Sequence, residues 1–89
     1  MTQMVDVAVS AQAEKIAQAE KILLEAYVSK DHTCIKQAIV HCKGVIATGD
    51  SLLSSFDSIE KETCAHNYPS IYTDMESLRA LVQFIDGRN

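Results

Sequence analysis

Apolar residues recur at helical spacing from the start of the chain: Val9, Ala13, Ile16, Ala19, Leu23, Ala26 and Tyr27 fall on one stripe. Around them lie Ala, Glu, Gln and Lys, which lose little side-chain entropy in a helix, so the spacing predicts an amphipathic helix from about Thr2 to Ser29. Ala13-Glu14-Lys15-Ile16 returns as Ala19-Glu20-Lys21-Ile22. Its six-residue offset fits neither a heptad nor a solenoid, and marks local helical bias only. Ser29 to Thr33 reads as a tight turn in which Asp31 or Thr33 can cap a second helix.

The second stripe runs in phase through Ile35, Ala38, Ile39, Cys42, Val45, Ile46, Gly49, Leu52, Leu53, Phe56 and Ile59. Lys36, Lys43, Ser51, Ser54, Asp57, Ser58 and Lys61 occupy the other face. One helix from about 33 to 63 satisfies this pattern. Gly44 and Gly49 each cost a helix about 1 kcal/mol relative to Ala, and Thr48 or Asp50 can cap a new one, so the alternative is a break near 48–50. Periodicity stops over Cys64 to Tyr68, and Asn67-Tyr68-Pro69-Ser70 is a turn signal. Thr73-Asp74-Met75-Glu76 matches a capping box. Met75, Leu78, Leu81, Val82 and Ile85 follow as a buried face, with Gly87 placed to end a helix over 74–86. Sustained alternation is absent, so no strand is predicted. The expected fold is all-α: one domain over residues 1–89, an antiparallel bundle of three helices with a long central one, or of four if the central helix breaks.

Composition adds constraints to this picture. A chain of 89 residues buries only about 60–65% of its unfolded surface, which favours association with a partner or a second copy. With 47% hydrophobic and 22% charged residues the profile is globular. The net charge of -4 and scattered basic residues disfavour nucleic acid. Charge is uneven, because His32 to Gly49 carries only Lys36 and Lys43, whereas Asp50 to Glu62 carries Asp50, Asp57, Glu60 and Glu62 against Lys61. Apolar runs are short, such as Val45-Ile46-Ala47, and none can span a bilayer. Ala11-Gln12-Ala13 has the form of a cleavage site, but no basic region precedes it and Asp6 interrupts the apolar stretch. A cytoplasmic protein with reduced Cys34, Cys42 and Cys64 is expected.

Three constellations could carry chemistry. Gly49-Asp50-Ser51-Leu52 resembles the modification site of acyl and peptidyl carrier proteins, and Ser77 to Ile85 resembles their last helix. The resemblance covers roughly the C-terminal 40 residues and implies phosphopantetheine on Ser51, at a helix start where the phosphate meets the helix N-terminus. The segment leading into it, Ile35 to Ala47, reads as helix rather than as the family's polar loop, and on one long helix Asp50 and Ser51 are ordinary solvent-facing positions. His41-Cys42-Lys43-Gly44 is similar to the surroundings of the phosphoryl-accepting His in histidine phosphotransfer domains. One residue rather than two separates His41 from Lys43, which turns the Lys about 100 degrees around the helix. His32-x-Cys34 and Cys64-x-His66 supply zinc ligand types, but on an unbroken helix their ends lie about 45 Å apart.

No Gly-rich phosphate loop, HExxH or nucleophile elbow is present. The expectation is a non-catalytic helical interaction protein of adaptor, chaperone, regulator or immunity type, with no cofactor, no metal, no nucleic acid and no membrane. Its apolar seams would dock a partner or a second copy through Ile16, Leu23, Ile39, Ile46, Leu53 and Phe56.

Overall fold

The computed structural model describes residues 2–88, with side chains from residue 5 onward. Four helices follow one another: α1 (Thr2–Ser29), α2 (His32–Ser54), α3 (Ser58–Asn67) and α4 (Ser70–Arg88). No strand occurs among the described residues. The body measures 44 × 19 × 17 Å, its long axis matching the roughly 42 Å of a 28-residue helix.

Cross-helix contacts give the topology. Cys42 Sγ donates to the Ala19 carbonyl and Gln12 Nε2 to the Val45 carbonyl, so α1 and α2 run antiparallel. Asp50 meets Arg79 and Lys43 meets Asp86, so α2 and α4 are antiparallel as well. α1 and α4 therefore run parallel, and the short α3 closes the end of the bundle where α2 finishes and α4 begins. There Asn67 Nδ2 donates to Asp6, and Tyr68 and Ser10 share a hydrogen bond.

Each long helix buries a seam at alternating spacings of four and three: Val5, Val9, Gln12, Ile16, Ala19, Leu23 on α1; Ile35, Ala38, Cys42, Val45, Gly49 on α2; Ile71, Met75, Leu78, Val82, Ile85 on α4. Such seams let three helices interlock along their length. Two positions break the apolar rule, and they meet. Gln12 is 2% exposed, its Nε2 lying 3.0 Å from the Val45 carbonyl and 3.7 Å from Met75 Sδ. A Cβ on Gly49 would stand 2.5 Å from Gln12 Nε2 and 2.7 Å from both Met75 Sδ and Cε. Gly49 is the missing side chain that admits Gln12 and Met75 between the helices.

The central helix differs from both sequence expectations. It passes unbroken through Thr48, Gly49 and Asp50, and it stops at Ser54, well before 63. Gly49 does not break it because its helical cost is offset by the packing it permits. The break falls at Ser55–Asp57, where the Ser55 N–H returns to the Ser51 and Leu52 carbonyls. Asp57 then caps α3 in a reciprocal box with Glu60, their bonds measuring 2.8 and 3.0 Å. Restarting the helix also resets its phase, so Cys64 is buried and Ile59 is 73% exposed rather than part of the seam. α4 likewise begins one turn before the expected Thr73. Pro69, whose ring suits a helix entry, lets the seam start at Ile71.

Candidate interaction surface

The interior uses most of the residues expected to face a partner. Ile16, Leu23, Ile39 and Phe56 are buried in the chain's own core, and Ile46 and Leu53 are half-buried against it. Three seams plus a closing helix cover one another, so Ile16, Leu23, Ile39 and Phe56 are used internally, while Ile46 and Leu53 keep part of their surface exposed.

The remaining chemical candidates are separated by the fold. Ser51 is exposed in the last turn of α2, its carbonyl accepting from Ser55, so it faces the negative end of a helix dipole. A prosthetic phosphate needs the opposite end, and the helix start implied by the carrier-protein resemblance does not form. Asp50 is held instead by Arg79 at 2.7 Å, and Arg79 also approaches Glu76 at 4.0 Å. His41 is exposed on α2 beside Lys15, Gln18 and Thr48, whereas Lys43 turns away to meet Asp86 at 3.5 Å. The two do not share a face.

His32 and Cys34 sit in the first turn of α2, while Cys64 and His66 belong to α3 near the opposite end. Among the described residues, no three His, Cys, Asp or Glu side chains converge where a metal could bind. The thiols are all biased toward the protonated form. A hydrogen bond to the Asp31 carboxylate and that group's charge push exposed Cys34 up. Burial, with the Glu20 charge, raises Cys42, and burial raises Cys64, which lies against the Tyr72 hydroxyl. None is activated as a nucleophile.

Among several surface concavities, one lies at the end carrying the α1–α2 turn and has an apolar lining. Asp31 builds that turn: its carboxylate accepts from the Thr33 and Cys34 backbone N–H groups at 2.9 and 3.3 Å, which holds its pKa below the ordinary value. Lys30 precedes it with φ at 62°, in the left-handed region that glycine normally fills. Beside the turn lies a cleft of about 510 Å3 lined by Tyr27, Val28, Lys30, His32, Ile35 and Arg88. Val28 is 76% exposed, and Leu24, one turn earlier on α1, is also exposed. On α4, the Arg88 guanidinium stacks 4.4 Å from the centroid of the exposed Phe84 ring. The cleft thus joins an apolar floor to a basic rim, assembled from three helix ends. Sequence periodicity counted Tyr27 toward the core and gave no weight to Val28, Phe84 and Arg88; the readable signal was large apolar residues off the seam near two helix C-termini.

No helix among the described residues is long and apolar enough to cross a membrane. In comparisons with family models, curated proteins and solved structures, the chain matches none.

Proposed function

We propose that this chain is a small, non-catalytic helical interaction protein that docks a partner protein on the apolar surface at its α1–α2 turn end. The observation that carries the reading is the cleft lined by Tyr27, Val28 and the edge of buried Ile35, which leaves Tyr27 and Val28 in water beside a core already closed. Apolar surface gathered into a concavity is a docking feature, whereas single exposed apolar residues are ordinary. The three protonation-biased thiols also fit a binding role better than nucleophilic chemistry.

The test is site-resolved crosslinking in cells. A benzophenone side chain in place of Val28 is expected to give discrete protein adducts that disappear with Phe84→Asp, while one in place of Val40, 71% exposed on α2, gives none. Phe84→Asp should cost no more than about 1–1.5 kcal/mol, from helix propensity and an acid near the α4 C-terminus, and leave the chain folded, since the ring lies outside the core. Equal adducts from both positions, or none from Val28, would reject the reading.

A further inference from the structure

We infer that the occupant of this surface is an acidic amphipathic helix of another protein, an inference that rests on the docking role proposed above. The stripe of α1 that holds Asp6 and Ser10 meets Asn67 and Tyr68 at the closed end of the bundle. Continued by helical spacing, the same stripe carries Leu24 and Val28 at the other end, exposed and without a covering element. The parallel α4 brings Phe84 and Arg88 to that end as well. The cleft, with exposed Leu24 and Phe84 on the helices beside it, presents apolar side chains spaced one turn apart on α1, which suits the apolar face of another helix.

Charge selects among helices. The cleft rim carries Lys30 and Arg88, with Lys21 exposed three residues before Leu24, and no carboxylate side chain lines the cleft among the described residues. The acids of this end are engaged elsewhere or turned aside: Asp31 caps α2, Asp86 pairs with Lys43, and Glu25 lies along the α1–α2 furrow. Glu20, half-buried one turn below Leu24, is the nearest acid along the stripe. The opposite end holds Asp50, Asp57, Glu60, Glu62, Asp74 and Glu76. A basic rim on a chain of net charge -4 is complementary to carboxylates flanking apolar anchors. A symmetric pairing of two clefts would bring the Lys30 and Arg88 rims together, and a head-to-tail pairing would build a ring or an open filament rather than a dimer.

The probe is an 18-residue synthetic helix with Leu and Phe on one face and Glu on the other, beside a counterpart with Lys replacing every Glu. Titrated into the full chain, the Glu peptide is expected to bind and to shift the amide resonances of Leu24, Val28 and Phe84. Lys30→Glu with Arg88→Glu should weaken it roughly tenfold, the scale of a few rim charge contacts, and the Lys peptide should bind the parent at least that much more weakly. If both peptides bind the parent equally, the acidic assignment falls and the docking surface stands. If neither binds while Val28 still crosslinks, the acidic assignment alone fails; if crosslinking is absent too, both fail. Concentration-dependent dimerisation that shifts these same amides would replace the acidic helix with a second copy.

Discussion

Residue scale is where the least expected feature lies, since Gln12 and Gly49 each look wrong for a helix seam until they are placed together. The Gln amide needs room and an acceptor, and Gly49 and the Val45 carbonyl supply them. Gly49→Ala gains about 1 kcal/mol of helix propensity but drives a methyl group into two buried side-chain ends, so a net loss of about 1 kcal/mol is expected. Gly44→Ala meets nothing within 4 Å and should instead stabilise by about 0.5–1 kcal/mol. Denaturant unfolding of the two variants decides this, and equal stabilisation by both would show that the three-helix contact at Gly49 is not close. Polarity assigns Gln12 to water and the sequence stripe runs through Ala13 instead, although the spacing of Gln12 from Val9 and Ile16 fits the seam the structure shows. What could not be read was its acceptor, which comes from a residue 33 positions away.

At the scale of elements, α1 and the turn after it were legible because stripe and cap agree. The end of α2 was not, because Leu52, Phe56 and Ile59 keep phase across the break, and the deciding signal was the Asp57 and Glu60 pair. The pair is two residues against a stripe of eleven, yet it opens the next helix. The Asp31 cap has a consequence in acid. Its carboxyl group titrates below its ordinary 3.8 in the folded chain because two backbone N–H groups, with the Cys34 thiol, favour the anion. Stability from this cap is therefore complete above the ordinary value and is lost as pH falls through the lowered one. Asp31→Asn keeps an accepting oxygen and removes the titration, so its melting temperature should fall less steeply than that of the parent below about pH 4. Identical slopes between pH 2 and pH 5 would show that the cap does not couple to folding.

Across the whole molecule, the bundle and its all-helical class were readable because three seams repeat with one period. The cleft was not, because it joins the last residues of α1, the first of α2 and the last of α4. Most of the apolar residues expected to recognise a partner hold the fold together instead, and Leu24, Tyr27, Val28 and Phe84, near two helix ends, are among the exposed ones. Lys30 belongs to both accounts, since its backbone is left-handed and its side chain lies on the cleft rim. A lysine costs about 1–2 kcal/mol in that conformation and glycine does not, although glycine loses more freedom on folding. Lys30→Gly is expected to raise unfolding stability by up to about 1 kcal/mol while weakening the acidic helix several-fold. Paired melting and peptide titrations would show it, and a variant that binds as tightly as the parent would remove Lys30 from the rim's role. At this one position, thermal robustness and recognition pull in opposite directions, so selection for heat tolerance alone should replace the lysine and silence the surface it edges.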